Sequence, residues 1–303
     1  MKHYKSLKEA ELVFKALSAP KRLRIMELLY KEENKSLNEL AKELGITSSA
    51  VSLHVGQLEN AGLIEVQTVA GIRGNRKICK PKFNKMMIEM VESKIEGLYF
   101  EDNIKVGYYV SCEISPTCGL ATKDNVIGEF DAPKYFTFPE HFDCEIFWFG
   151  DGYVEYSLPN RLSSGQNLKK LELSFEVSSE CPGYNEDYPS DIHFSLNGIH
   201  LGCWISPGDF GSRRGRFTPD WWPESCNQYG LLKTLTIDEE GTFIDGGIKI
   251  SEVTIDQLDI DYSSPLMFRF AVPKETTNCR GFTIFGKGFG DYDQGIKLIT
   301  YYN

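Results

Sequence analysis

Two stretches bring together side chains able to do chemistry. The first sets the hydroxyls of Thr47, Ser48, Ser49 and Ser52 beside His54, and Arg73, Asn75, Arg76 and Lys77 follow shortly after. Hydroxyls donate to and accept from base edges and phosphates, and guanidinium and ammonium groups hold phosphate, so the chemistry on offer is recognition of a nucleic acid. The second is residues 206–230, S-P-G-D-F-G-S-R-R-G-R-F-T-P-D-W-W-P-E-S-C-N-Q-Y-G, directly after Trp204. Asp209, Arg213, Arg214, Arg216, Trp221 and Trp222 offer carboxylate, guanidinium and flat apolar faces. Sugars are gripped that way, with a ring face on an aromatic and hydroxyls held in pairs by charged groups. A non-periodic piece of this length inside a compact domain is usually functional or disordered, and its aromatic content argues against disorder. The competing expectation is that Trp221 and Trp222 plug the end of a sandwich while the arginines pair with its acidic surface.

The first stretch needs a helix to present it. With Thr47 at 0° and 100° per residue, Val51, Val55 and Leu58 fall between about 20° and 80°. Ser49, Ser52, Leu53 and Gly56 fall on the opposite side, near about 180°, and small hydroxyl-bearing residues there leave room for groove walls. His54 lies near about 340°, on the flank facing the core, which favours a structural or phosphate-touching role. Gly62 stops the helix. Leu63, Ile64 and Val66 open an extended run that turns at 70–75 and returns through Arg76-Lys77-Ile78, a hairpin with a basic tip. Upstream, Ser36 and Glu39 form a capping box ahead of Leu37, Leu40, Ala41 and Leu44, and Gly45 makes the turn. Pro20 suits the start of an earlier helix with Leu23, Met26, Leu28 and Leu29 as its buried stripe. Helices are expected over 6–18, 20–32 and about 82–98, the last with Met87, Met90, Val91 and Ile95 along one side as a dimerisation surface.

Residues 10–83 resemble the ArsR/SmtB winged-helix regulators through A-L-S-A-P-K-R-L-R-I-M-E-L-L, L-N-E-L-A-K-E-L-G-I-T-S-S-A-V-S-L-H-V-G-Q-L-E-N-A-G-L-I and R-G-N-R-K-I-C. The resemblance covers about a third of the chain and implies a dimeric, cytoplasmic, DNA-binding regulator, by default a repressor, with Ser48, Ser49 and Ser52 at base-reading positions. Metal-sensing members carry a Cys pair where this chain reads Leu37-Asn38-Glu39-Leu40, or acidic and His ligands on the terminal helix. Here 82–96 holds neither His nor Cys. No metal at those positions and no cofactor is therefore expected.

The chain has 303 residues and a formal net charge of −10. Residues 1–96 carry +5 and the remainder −15, so a basic head sits on an acidic body. All four Trp lie beyond Tyr99, while five of six Met lie before it. The expected organisation is multidomain: an α-rich winged helix-turn-helix over 1–98 and an all-β jelly-roll sandwich over 99–303. No signal peptide and no membrane-spanning run is expected. Eight scattered Cys without a C-x-x-C pair suit reduced, buried thiols better than a metal site at Cys112, Cys118 and Cys144.

From residue 104 onward the apolar pattern has period two. Eleven β-rich runs, at 105–114, 144–149, 153–158, 168–177, 191–196, 199–205, 230–237, 247–255, 266–272, 280–286 and 296–302, are separated by Gly, Pro, Asn and Asp, which predicts two stacked sheets. D-I-H-F-S-L-N-G-I-H-L-G-C-W-I and I-K-L-I-T-Y-Y are similar to sugar-binding jelly rolls of the galactose-binding-like kind. That resemblance implies the jelly-roll fold more than a function, and the carbohydrate effector is expected chiefly from the make-up of the 206–230 loop. His193 alternates with Phe194 and reads as core or surface. Asp291 and Asp293 in a turn, Asp151 with Glu155, and Asp238-Glu239-Glu240 read more readily as solvated acids than as a calcium site or a glycosidase pair. No G-x-S-x-G, H-E-x-x-H, P-loop or dinucleotide glycine pattern occurs, so no catalytic residue is expected. A tethered carbohydrate-active enzyme and a protein-interaction platform remain the alternatives to a sensor.

Overall fold

The computed structural model describes residues 2–4, 6–32, 34–71, 74–84, 86–88 and 98–303. It divides into two compact units, Met1–Glu96 and Gly97–Asn303.

The first unit contains strand β1 (Lys2–Tyr4), helices α1 (Glu11–Leu17) and α2 (Pro20–Lys31), β2 (Lys35–Ser36), α3 (Leu37–Leu44), α4 (Ser48–Asn60), the hairpin β3 (Ile64–Gly71) and β4 (Gly74–Pro81), and β5 (Met86–Ile88). Ser36 and Glu39 make the full capping box: Ser36 Oγ accepts from the Glu39 N–H at 3.3 Å, and Glu39 Oε2 accepts from the Ser36 N–H at 2.7 Å. Gly45 ends α3 in the left-handed region at φ 63°, a conformation that costs a side-chain-bearing residue about 1 kcal/mol or more. Ile25, Leu29, Leu40, Val51, Val55, Leu58 and Ile64 close the core between these elements. The hairpin register runs from Ile64↔Pro81 to Gly71↔Gly74, so strand pairing extends into the stretch 70–75 expected as the turn.

Two expectations here are corrected. The first helix begins at Glu11 rather than residue 6 and is preceded by β1. The start of the expected terminal helix is instead β5, paired in parallel with β1 through Lys2↔Met86 and Tyr4↔Ile88. Three successive apolar residues fit a strand as well as a helix, and periodicity cannot see a partner strand at the other end of the domain. The remainder of that helix, with Met90, Val91 and Ile95, lies outside the described residues.

The second unit is a β-sandwich closing toward a barrel. Its strands are β6 (Leu98–Ile104), β7 (Tyr109–Ala121), β8 (Val126–Ile127), β9 (Ile146–Leu158), β10 (Leu168–Ser178), β11 (Ser190–Leu196), β12 (Ile199–Ser206), β13 (Leu231–Asp238), β14 (Gly241–Ile244), β15 (Ile248–Ser251), β16 (Leu266–Val272), β17 (Phe282–Phe285) and β18 (Ile296–Tyr302). One leaf orders β8-β7-β9-β16-β11-β12 and the other β6-β18-β10-β13-β14-β15. The leaves are not separate, because β17 pairs with β9 on one side and β10 on the other. At the opposite edge β12 approaches β15, where a Cβ on Gly202 would stand 2.9 Å from Ile250. Phe147, Phe149, Tyr156, Phe175, Phe194, Phe268, Phe270 and Phe282 fill the space between the leaves.

The expected breaks at 144–149 and 153–158 merge into β9. Gly150-Asp151-Gly152 resembles a turn in sequence, yet the strand passes straight through. These glycines serve close approach: a Cβ on Gly150 would lie 2.5 Å from the Pro116 carbonyl oxygen, and one on Gly152 would lie 1.9 Å from that of Glu113. The neighbouring β7 is bulged between Ser115 and Cys118, which brings its backbone inward at this point. Strands β6, β8 and β14 add to the expected set.

Candidate nucleic-acid interface and the 206–230 loop

Helix α4 divides its residues as the phase argument requires. Val51, Val55 and Leu58 are buried, while Ser48, Ser49, Ser52 and Leu53 face solvent. A Cβ on Gly56 would meet nothing within 4 Å, so the outer arc is flat and open. Thr47 is occupied first as the N-cap, its Oγ1 accepting from the Ala50 N–H at 3.2 Å. Ser48 Oγ donates to Asn38 Oδ1 at 2.8 Å, which joins α3 to α4 at the mouth of the turn. His54 is half-buried on the flank. Arg22 braces α4 from behind, donating to the Ala16 and Lys15 carbonyls and to Gln57 Oε1.

The wing is placed differently from a free basic tip. Arg76 Nη2 lies 3.3 Å from Glu39 Oε1, on the residue that also caps α3. Hydrogen bonds from Ser36, with Arg76 adding its charge, hold the Glu39 carboxyl below the usual range. Arg76 therefore ties the wing to α3, and Lys77 stays exposed one residue on. Asn75 pairs with Ala70 in the ladder, and Arg73 lies outside the described residues. Helix α4 contains no Lys or Arg at all, so its outer face offers hydroxyls and one apolar side chain, Leu53, which is 74% exposed. Leu53, Gly56, Asn38 and Gln57 are absent from the expected site set. The phase of α4 places the first two on the outer arc, but nothing local pairs Asn38 with Ser48 or Gln57 with Arg22.

The 206–230 loop folds back over the outer face of β7, β9, β17 and β10 and makes a second small core. Trp222, 2% exposed, packs edge-on against Trp148, Trp221 and Phe289, and its Nε1 donates to the Asn227 carbonyl at 2.8 Å. Asp209 is fully buried, accepting from Ser178 Oγ at 3.2 Å and the Cys181 N–H at 3.3 Å. Burial pushes its carboxyl up to about 7, against the pull of those donors. Trp222 and Asp209 are thus framework, a correction to their assignment as effector contacts. Arg213 grips Asp291 through both carboxylate oxygens, at 3.0 and 2.5 Å, and stacks over Tyr229 at 3.8 Å. Arg214 donates to the Pro219 carbonyl at 2.6 Å and faces Glu224 at 3.8 Å. Trp221, 38% exposed and fixed by an Nε1 donation to the Lys123 carbonyl, and Arg216, exposed beside Phe217, keep faces toward solvent. Trp204 stands on β12 under Lys233 Nζ at 4.6 Å.

Two carboxylates outside the expected set complete this region. Glu176 is fully buried and accepts from the N–H groups of Gly230, Asp291 and Tyr292 at 2.8–3.1 Å, pinning the end of the loop to the turn before β18. Burial pushes it up to about 8, with the N–H donors opposing. Glu180 accepts from Thr117 Oγ1 at 3.1 Å and Thr283 Oγ1 at 3.4 Å, and burial, with Asp209 nearby, raises it well above the ordinary range. Three of the other acids are engaged in separate ion pairs: Asp151 with Lys274 at 3.5 Å, Glu155 with Arg269 at 3.0 Å, and Asp291 with Arg213. Cys118 and Cys144 are buried in the sandwich core, and burial raises both thiols. All eight cysteines are free thiols. Among the described residues no helix is long and apolar enough to cross a membrane.

Residues 19–66 match the family of bacterial regulatory proteins described as the arsR family. The chain is 37% identical over 62 residues to the HTH-type transcriptional regulator YgaV of Escherichia coli (strain K12), an alignment covering 20% of this chain and 63% of that protein. The chain thus spans just under two thirds of the length of the curated relative it matches. The family match falls on the first unit, whose α3–α4 pair is a helix-turn-helix of the arsR type.

Proposed function

We propose that this protein is a DNA-binding transcription regulator, acting as a homodimeric repressor, that lays α4 in the major groove of an operator. The observation that carries this is the outer arc of α4: Ser48, Ser49, Ser52, Leu53 and an open Gly56 on a capped helix of arsR type. Its flat surface admits groove walls, and hydroxyls and a methyl-bearing side chain suit base edges. With no cation on α4, phosphate contacts come from its surroundings, among them Lys42 and Lys77.

The test is fluorescence anisotropy on DNA selected from a randomised duplex library. Gly56→Glu puts bulk and negative charge on the groove face where the fold has room for it, and it abolishes binding while leaving the melting temperature near that of the unaltered chain. Gly56→Ala keeps binding and raises stability by about 0.5–1 kcal/mol, the helical cost of glycine. Unchanged affinity in Gly56→Glu would remove α4 from the interface.

The second unit, on this reading, is a non-catalytic sensor of a small polyhydroxylated effector, a carbohydrate. Support comes from its sandwich form and from Trp221 and Arg216, which keep an aromatic face and a guanidinium open at the end of the sandwich. A thermal-shift screen against sugars and sugar acids, repeated with Trp221→Ala, checks it. A sugar that stabilises the unaltered chain but not the variant supports the assignment, and turnover of an oligosaccharide would replace it with the enzyme reading.

A further inference from the structure

Asn38 and Ser48 stand on the two helices of the helix-turn-helix, and Ser48 Oγ donates to Asn38 Oδ1 at 2.8 Å. Ser48 is the first residue of α4 after its cap, Thr47. On the helical wheel that places Thr47 at 0° it falls at about 100°, where the outer arc borders the buried stripe. That position sets it beside α3 and still leaves both side chains exposed to solvent. The N-terminal residues of such a helix are the ones that reach base edges in the major groove.

The bond to Asn38 decides what the hydroxyl has left to offer. A serine hydroxyl carries one proton and two lone pairs. Its proton is committed to Asn38, so toward a base edge Ser48 is an acceptor. The direction of the Asn38 amide has an electrostatic cause. Ser48 and Ser49 hold N–H groups of the first turn of α4, which have no partner within the helix and make this end positive. A positive helix end draws the amide oxygen toward it and turns the amide nitrogen away.

In the major groove adenine and cytosine present an amino group where guanine and thymine present a keto oxygen. We infer, on the reading that α4 lies in that groove, that Asn38 fixes Ser48 as an acceptor, so that α4 selects adenine over guanine, or cytosine over thymine, at the position Ser48 faces. Accepting from an amino group leaves the Asn38 bond in place. Donating to a keto oxygen requires the hydroxyl to leave Asn38, whose amide oxygen then lacks a donor where water has been displaced. That loss costs about 5- to 100-fold in affinity. Asn38 is thus a positioning residue, which acts on the DNA through Ser48.

The test is fluorescence anisotropy of the full chain on a duplex selected from a randomised library, with each adenine exchanged for guanine and each cytosine for thymine in turn, together with the paired base. At one position the unaltered chain loses about 5- to 100-fold, and Ser48→Ala no longer senses that exchange. Asn38→Ala frees the hydroxyl to turn and donate, which brings the two bases to nearly equal affinity there. Asn38→Asp keeps an acceptor beside Ser48, so it retains the preference while its charge weakens binding to every sequence. Melting curves confirm that each variant is folded. An unaltered preference in Asn38→Ala, or its loss in Asn38→Asp, overturns the assignment while DNA binding stands. If Ser48→Ala matches the unaltered chain at every position, Ser48 reads no base. An unaltered chain that binds no duplex overturns the DNA-binding reading itself, and the role of Asn38 with it.

Discussion

Helix α4 and the 206–230 loop both hold side chains suited to recognition, hydroxyls on one and arginines, acids and tryptophans on the other, yet the structure treats them oppositely. On α4 the residues that read as functional face outward, and those that read as core face inward. In the loop, Trp222 and Asp209 are buried, Arg213 and Arg214 are bound to neighbours, and Trp221 and Arg216 keep open faces. A helix converts spacing into direction, because each step turns the side chain by a fixed angle. A loop has no such rule, so a polar or aromatic residue in it points wherever packing and hydrogen bonding send it. What is legible as a site in the helix is legible only as a composition in the loop.

The sharpest way to break this contrast is to remove the two loop tryptophans separately. Trp222→Ala empties the small core beside Trp148 and Phe289 and costs about 3–5 kcal/mol, read as a lower urea midpoint. Trp221→Ala, on the same loop, should cost far less. Equal losses would mean that the loop packs as one unit and that Trp221 is framework too.

A smaller effect tests the buried carboxylates beneath the loop. Burial raises Asp209 to about 7 and Glu176 to about 8, whereas an unfolded chain returns both to about 4. The folded state then holds protons that the unfolded state has released, so stability is full below about pH 4 for these groups and falls as pH rises toward about 8. The loss is on the order of a few kcal/mol across that window. Urea midpoints at pH 5, 6.5 and 8 should decline in turn, and Asp209→Asn should flatten the slope. A midpoint that rises steadily with pH would show that the carboxylates are held charged by their N–H donors.

The smallest effect belongs to α4. Leu53 on its outer arc should lie against a thymine methyl, the apolar feature of the major groove. Replacing the contacted thymine by deoxyuridine deletes one methyl and should weaken binding about fourfold, from about 0.8 kcal/mol per buried carbon. Leu53→Ala should lose that sensitivity without loss of stability. If no thymine in the selected operator shows it, Leu53 has another partner and the outer arc is read by its hydroxyls alone.

Much of the first unit could be read before any coordinates. The Ser36/Glu39 capping box, the Gly45 turn, the α4 phase and the hairpin all depend on interactions within a few residues, and local interactions leave local signatures. The alternating strands of the sandwich were legible for the same reason. Other features depend on residues far apart in the chain. The pairing of β5 with β1, the passage of β9 through Gly150 and Gly152, the bridging of both leaves by β17, and Arg76 turning back to Glu39 are of that kind. Glu176 becomes a clamp because Gly230, Asp291 and Tyr292 aim their N–H groups at one point, and His193 meets His200 because Leu201 is one residue too many in its strand. The sequence by itself determined an arsR-type helix-turn-helix and an all-β partner, since periodicity and capping are properties of short segments. Only the tertiary structure decided which polar side chains are buried and which are open, since that depends on what distant segments bring to the same place.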